Sequence, residues 1–494
     1  MGVLDWIAMA AYAAAVLAVG RWAAYAPGQS EDHLLAGRNL PTPLVLLSMI
    51  ATELSAATFV GVPHAAYTGD WSYLQLAFGA LAAKLVLAAR VIPAYHRAGV
   101  VTVYGFLRAR FGDRCQRAAA GCFVLGRTLA SGARLFIAAL AFSAAARVGI
   151  EFAIVACALA AGLYTRWGGL RAVVWTDALQ AGVFVIGALA ALQVLGAQVE
   201  GGWGGLYDWA ATNGRSQVFH TDPWIALTSG IPLGSAFVAG FFLTLATHST
   251  DHDMVQRLLA ARDGRRGGRA LWISATINFP MTALFLSIGT ALAYHHATTP
   301  PSYDISDARQ VLPLFALHEL PSGLRGLVFS GLFAAGMSSL DSAICAISAT
   351  WVSDLAPRPA GGADHARMRR VSFVTCVGLT LAALGMAAYQ GALVAEGVEL
   401  PSLVEFALSA MGVLYGGLLG VFAVGFLAPS RGDEWSSLAG LAAGSAIGLG
   451  LFLEPLVSGA ASLAWGYRIP FAAAVTALIV VARPARRSPT STPA

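Results

Sequence analysis

Apolar runs of about 20 residues recur along the whole chain, and this pattern is the strongest constraint on its fold. The chain has 494 residues, of which 57% are hydrophobic and 12% charged, and its mean hydropathy is +0.67. Soluble globular proteins carry about twice that share of charged residues. An apolar run of this length crosses a bilayer as one α-helix, because all its backbone polar groups are then hydrogen-bonded within the helix. The sequence therefore predicts an all-α polytopic membrane protein with about 13 transmembrane helices.

The predicted spans follow one another with short loops between them. They cover residues 3–24, 42–63, 73–95, 117–147, 150–166, 172–197, 225–247, 269–294, 324–353, 370–392, 402–428, 435–455 and 460–482. We expect a single transmembrane domain over 1–484. Residues 485–494 are rich in Pro, Ser and Thr, and this composition predicts a disordered tail.

Arginines are concentrated in alternate loops, and this asymmetry predicts the orientation. The loops after the third, seventh and ninth spans and the C-terminal segment are arginine-rich, whereas those after the second, sixth and tenth contain only Arg215. Positively charged loops stay in the cytoplasm. We therefore expect a multi-pass cell-membrane protein, of a bacterial inner membrane, with its N-terminus outside and its C-terminus in the cytoplasm. The net charge of +5 fits this topology, and the absence of a basic stripe with interleaved aromatics argues against nucleic-acid binding.

Polar side chains within the apolar spans are energetically unfavourable in a bilayer unless they contact another polar group or a bound ion. The segment "GLFAAGMSSLDSA" (331–343) carries a one-sided stripe and an adjacent carboxylate, formed by Ala335, Ser338, Ser339, Ser342 and Asp341. The second span has a similar stripe, Ala51, Leu54, Ser55 and Thr58, with Glu53 on another face. Serines and small residues also occur where membrane helices pack closely, but carboxylates do not serve that purpose. Serine hydroxyls, together with backbone carbonyls left unpaired at a helix break, are suitable ligands for sodium.

Three segments resemble the sodium:solute symporter family, which includes the sodium/glucose, proline, sialic acid and monocarboxylate transporters. They are "AAGMSSLDSAICAISATWVSDL" (334–355), "GGLRAVVWTD" (168–177) and "STDHDMVQR" (249–257). The resemblance implies a leucine-transporter-like fold with two inverted five-helix repeats. The repeats would be 42–197 and 225–428, with an extra N-terminal helix at 3–24 and two C-terminal helices at 435–482.

The resemblance also implies where sodium binds. The ligands of the main site would be the backbone carbonyls of Ala51, Leu54 and Ala335 and the hydroxyls of Ser338 and Ser339. A possible second sodium would bind Asp177, Ser338, Asp341 and Ser342. Sodium is then the co-transported ion, and we expect no organic cofactor, no other metal and no catalytic residue. The spacing of His248 and His252 is that of a helical zinc site, but the motif lacks its glutamate.

The family's broken first helix presents its middle to the solute. The candidates for binding the solute are Glu53, Ser55, Thr58, Gln75, Arg127, Arg134, Thr244 and Thr247. Glu53 suits a polyol, a sugar or an amine, and Arg134 suits a carboxylate through a bidentate contact. These two side chains can equally pair with each other. Lys84 lies near Arg90, and we expect it to snorkel to the cytoplasmic interface.

The resemblance implies a sodium-coupled symporter that imports a small polar organic solute by alternating access. That solute would be a sugar or polyol, or a carboxylate such as sialic acid or a monocarboxylate. The alternatives are a sodium-coupled amino-acid transporter and, less favoured, a transporter-like solute sensor. The expected partners are the solute, sodium and the lipid bilayer, without an obligate protein partner.

Overall fold

The computed structural model describes residues 1–24, 34–146, 148–165, 169–229, 232–305, 307–356, 365–398, 400, 402–458 and 461–485. Helices dominate these residues, and the β-pairings among them are isolated bridges from Leu40 to Ala261 and from Arg431 to Pro484. The prediction of an all-α protein is confirmed. The predicted disordered tail lies outside the described residues from position 486 onward.

Nineteen α-helices are present in the described part. They are α1 (Val3–Ala24), α2 (Thr42–Glu53), α3 (Val62–Thr68), α4 (Gln75–Val86), α5 (Ile92–Arg97), α6 (Tyr104–Phe111), α7 (Asp113–Ala146), α8 (Ile150–Thr165), α9 (Gly169–Gly196), α10 (Gly202–Thr212), α11 (Leu233–Ser249), α12 (His252–Leu259), α13 (Gly264–Thr298), α14 (Val311–His318), α15 (Leu324–Thr350), α16 (His365–Ala395), α17 (Leu403–Leu427), α18 (Glu434–Ser458) and α19 (Trp465–Val481). Wider π-helical turns at Ala57–Gly61, Leu87–Val91 and Trp351–Leu355 extend α3, α4 and α15.

Within the described ranges, nine helices are long and apolar enough to cross a membrane. Two further spans are bent helix pairs, and two shorter apolar helices begin at Ile150 and Trp465. Each predicted span overlaps one of these segments, although the seventh, predicted from residue 225, is helical only from Leu233. The resemblance implied a break in the second span, whereas the break in the seventh span was not predicted.

The first bent pair joins α2 to the Ala57–Thr68 segment at an angle of 57°. α2 ends at Glu53, because Leu54 has an extended conformation with φ −83° and ψ 92°. The second pair joins α11 to α12 at 62°. Its break is fixed by Asp251, whose carboxylate accepts the Asp253 N–H at 2.9 Å and caps α12. Each break leaves backbone carbonyls without helical partners, and such irregular backbone is tolerated at membrane depth only inside the protein.

α15 is buried along most of its length and lies at the centre of the molecule, against α2, α7 and α9. Its approach to α9 depends on small residues, because a Cβ on Gly187 would lie 3.3 Å from the Leu327 carbonyl oxygen. α4 and α11 approach even more closely. A Cβ on Gly79 would overlap the Phe237 carbonyl oxygen, and small residues at such contacts let helix backbones meet in membranes.

We expect Gly79→Ala to lower the unfolding temperature of the purified protein, because the added methyl group forces α4 away from α11. Overpacking of this kind costs about 1–3 kcal/mol. The matched control is Gly182→Ala in α9, where an added Cβ meets nothing within 4 Å. Thermal unfolding in detergent measures both variants, and equal unfolding temperatures would contradict the close contact.

Candidate functional site

The residues predicted to form the main sodium site lie together where α15 crosses the break after α2. Ala51, Leu54, Ala335, Ser338 and Ser339 are all buried. The Ser338 hydroxyl donates to the Ala51 carbonyl oxygen at 3.0 Å, and the Ser339 hydroxyl donates to the Ala335 carbonyl oxygen at 3.3 Å. The arrangement therefore concentrates hydroxyl and carbonyl oxygens from two helices, which is the donor set that sodium takes at broken helices.

The residues predicted for a second sodium surround an arginine that sequence reasoning did not assign. Arg257 lies 3.3 Å from the Asp177 carboxylate, and it also donates to the Ser342 hydroxyl. Ser48 donates to Asp177 at 2.6 Å. Asp341 accepts the Ser342 N–H at 2.6 Å. A guanidinium thus supplies the positive charge beside Asp177. Arg257 stands in "STDHDMVQR", which carries the family resemblance but which we had not connected to this pair.

Arg127 does not line the solute cavity, contrary to expectation. It is fully buried and forms an ion pair with Asp251 at 2.9 Å and a second one with Asp253. Tyr415 donates to Asp251, and Arg257 lies 2.6 Å from Asp253. The two aspartates lie at the start of α12. Their buried carboxylates are stable only beside positive charges, which Arg127 and Arg257 provide. We call Arg127, Asp251, Asp253 and Arg257 the ionic cluster.

Gln75 also lies outside the cavity. Its amide donates to the Ser72 carbonyl at 3.2 Å and accepts the His220 N–H at 3.2 Å. These contacts hold the start of α4 against the segment that precedes α11. Gln75 therefore stabilises this contact between two segments and does not line the cavity.

The other six solute candidates do line one cavity, which has about 170 Å³ of water-accessible space. They are Glu53, Ser55, Thr58, Arg134, Thr244 and Thr247. Polar residues that we had not predicted complete the wall, namely Tyr73, Lys84, His248, Asn278 and Thr282. The cavity borders the break after α2, because Glu53 and Ser55 flank Leu54 on either side.

Glu53 forms a buried ionic network with Lys84, and the expectation that Lys84 snorkels to the interface is wrong. The Lys84 ammonium is 2.6 Å from the Glu53 carboxylate, and both side chains are less than 10% exposed. Ser274 donates to Glu53 at 3.1 Å, and His248 Nε2 lies 3.2 Å from it. Lys84 is the only lysine in the sequence and stands inside an apolar run, and this position was the signal that could have indicated a buried partner.

Arg134, by contrast, has no carboxylate within 4.0 Å among the described residues. Its side chain is only 7% exposed, its Nη2 lies 3.4 Å from the Met411 sulfur, and its Nη1 has no hydrogen-bond partner. The alternative in which Glu53 pairs with Arg134 is therefore wrong. A buried guanidinium without an anion is costly, so this side of the cavity favours a negatively charged guest.

We expect Lys84→Met to destabilise the protein by about 3–5 kcal/mol, because Glu53 then loses its nearest buried cation. The double variant Glu53→Gln/Lys84→Met removes both charges and should recover much of that loss. Thermal unfolding of the wild type, both single variants and the double variant measures the coupling. Additive effects of the two single substitutions would contradict a buried pair.

Known proteins resemble this chain over most of its length. The model of the sodium:solute symporter family matches residues 33–426. The sodium/sialic acid symporter NanT of Aliivibrio fischeri is 27% identical to this chain, and the match covers 72% of this chain and 70% of NanT. Human sodium-coupled monocarboxylate transporter 1 is 26% identical, and that match covers 90% of this chain and 73% of the transporter. A solved structure of a substrate-bound, outward-open, sodium-coupled sialic acid symporter has a TM-score of 0.84 at 22% identity and covers 97% of each chain, which shows the leucine-transporter-like fold. The chain belongs to the sodium:solute symporter family, and it is a sodium-coupled membrane transporter.

Proposed function

We propose that the co-transported solute is a small organic carboxylate and that Arg134 binds its carboxylate group. The observation that carries this proposal is the guanidinium of Arg134, which is buried at the cavity without an acidic partner among the described residues. An arginine binds a carboxylate through two parallel hydrogen bonds, a geometry that a lysine does not offer. Two relatives, NanT and monocarboxylate transporter 1, are named for transport of carboxylate solutes.

The rest of the cavity supports an anionic solute over an amine. An amine needs an available carboxylate, but Glu53 already contacts Lys84, His248 and Ser274. This network is an argument against the amino-acid transporter, whose solute carries an ammonium group. Thr244, Thr247 and Asn278 provide neutral hydrogen-bonding groups, which suit hydroxyl or carbonyl groups on the remainder of the solute.

We propose that sodium binds at Ala51, Leu54, Ala335, Ser338 and Ser339. The break after α2 then serves both ligands, because Ala51 and Leu54 face the ion while Glu53 and Ser55 line the cavity. Sodium that orders this break also orders part of the solute site, and binding of either ligand therefore favours binding of the other. A second sodium at Asp177, Ser338, Asp341 and Ser342 requires Arg257 to move away from Asp177.

The arginine distribution supports an outside N-terminus and a cytoplasmic C-terminus in the cell membrane. In this orientation the ionic cluster lies on the cytoplasmic side of the cavity, and its opening accompanies solute release. We place one transporter domain over 1–484, with the repeats at 42–197 and 225–428, and expect the chain to act without catalysis and without an obligate protein partner.

We expect purified protein in liposomes to take up a carboxylate solute when an inward sodium gradient is applied. The panel contains sialic acids, monocarboxylates, neutral sugars, polyols and amino acids. Arg134→Gln should raise the KM for the carboxylate about 10–100-fold, because it removes a charged hydrogen-bonding pair worth about 1.5–3 kcal/mol. The matched control is Arg325→Gln, whose guanidinium lies near Asp5, 3.9 Å away and outside the cavity. Sodium-driven uptake of a neutral sugar alone, unaffected by Arg134→Gln, would overturn the proposed substrate class.

Ser339→Ala should raise the sodium concentration needed for half-maximal uptake by about tenfold. The variant removes one sodium ligand, and a loss of about 1.4 kcal/mol in binding free energy corresponds to a tenfold change in affinity. The matched control is Ser330→Ala on the same helix, where a buried hydroxyl donates to the Gly326 carbonyl at 2.8 Å. Sodium-dependent thermal stabilisation provides a readout that needs no solute. If both serine variants keep the wild-type sodium dependence, the main site lies elsewhere.

A further inference from the structure

Two histidines and a glutamate meet at the end of α13, away from the solute cavity. His295 Nε2 lies 2.5 Å from the Glu319 carboxylate, and the Tyr303 hydroxyl donates to the other carboxylate oxygen at 2.8 Å. His296 Nε2 is 3.2 Å from the Tyr303 hydroxyl. One ligand atom from each of His295, His296 and Glu319 lies within 4.8 Å of the other two. We call these three residues the outer triad.

We propose that the outer triad binds a divalent transition-metal ion, with zinc as the best-suited metal. Two imidazoles and a carboxylate with an open fourth position form a donor set that zinc takes in proteins. The distances among the ligand atoms require only small side-chain movements to surround one ion. Magnesium and calcium prefer all-oxygen ligands, so the imidazoles select against them.

The charge of the outer triad favours a cation. Glu319 supplies the charged ligand, a carboxylate, and the two histidines supply imidazole nitrogens. His295 is 8% exposed and Glu319 about one fifth exposed, so water screens that charge only in part. A divalent ion placed between His295 Nε2 and Glu319 replaces their hydrogen bond with two coordination bonds.

A neighbouring tyrosine contacts the second ring nitrogen of His296. The Tyr67 hydroxyl lies 3.1 Å from His296 Nδ1. When His296 Nε2 binds a metal, its proton resides on Nδ1, and the Tyr67 oxygen is positioned to accept it. Partners of this kind fix the tautomer of metal-bound histidines. Tyr67 belongs to α3, so the site joins three parts of the chain.

A metal at this position restrains the segment between α13 and α15. Glu319 directly follows α14, whereas His295 and His296 lie in the last turns of α13. The same segment contributes Asp307 and Arg309 to the wall of a large second cavity, together with His64 and Thr68 of α3. A bound metal therefore ties α14 to α13 beside this cavity. The predicted orientation places the site outside the cell.

The test is zinc binding to the full chain after chelator treatment, measured by calorimetry and by thermal unfolding with zinc or magnesium. We expect one zinc per chain and a higher unfolding temperature with zinc but not with magnesium. X-ray absorption at the zinc edge should report two imidazole nitrogens and one carboxylate oxygen. These readouts do not depend on sodium or on the solute, so their failure is distinguishable from failure of the proposed function.

His295→Ala and Glu319→Gln should each weaken zinc binding at least tenfold, and Glu319→Gln keeps a carbonyl acceptor for Tyr303. The matched control is His220→Ala, because His220 and Asp70 form another histidine–carboxylate pair, 2.7 Å apart, that no third His, Cys, Asp or Glu of the described residues joins. Sodium-dependent stabilisation checks that each variant is folded. Absence of zinc binding in the wild type, or undiminished binding in the folded triad variants, would overturn the proposal.

Discussion

The hydrogen bonds of freed backbone carbonyls are the constraint on which the rest of this structure depends. A bilayer offers no partner to a broken helix, so protein groups or bound ions must supply one. At the break between α11 and α12, tyrosine hydroxyls supply the missing hydrogen bonds. Tyr95 donates to the Ser249 carbonyl at 2.7 Å, and Tyr104 donates to the Thr250 carbonyl at 2.9 Å. At the break after α2, the Ala51 carbonyl meets the hydroxyl of Ser338 instead. A serine hydroxyl can turn its lone pairs toward a cation, and this break is therefore the one suited to exchange a hydrogen bond for an ion.

Buried charge follows the same requirement. Arg127, Arg257 and Lys84 each lie beside a carboxylate, because an isolated ion at membrane depth costs several kcal/mol. Arg134, which lines the cavity, differs from these three cations, because no carboxylate lies within 4.0 Å of it among the described residues. It lies two helical turns from Arg127 on α7, and that separation keeps it beyond the aspartates of α12. Under the proposed function, the carboxylate group of the solute supplies the partner that Arg134 lacks.

The sequence predicted the fold well, because span length and hydropathy are local properties. Six of the eight solute candidates line the cavity, on α2, α7 and α11 and in the segment that follows the break after α2. Their role in solute binding stays a prediction. The sequence could not separate Arg127 from Arg134, because residues seven apart share a helical face and only the position of Asp251 and Asp253 distinguishes them. The pairing of Glu53 with Lys84 joins α2 to α4 through tertiary packing, and the same holds for Arg257 and Asp177. No local pattern reports such contacts. The break after α2 was predicted only through the resemblance, and the break between α11 and α12 was not predicted.

The position of α15 connects the proposed main sodium site to the ionic cluster. Ser338 contacts the α2 break, and Ser342, one turn further along, contacts Arg257. Arg257 in turn joins Asp253 of the cluster to Asp177 of α9. If sodium binds at the proposed main site, it acts on the same face of α15 that contacts Arg257. Coupling between that site and the ionic cluster then needs no long-range rearrangement, because one helical turn of α15 separates the two sets of contacts.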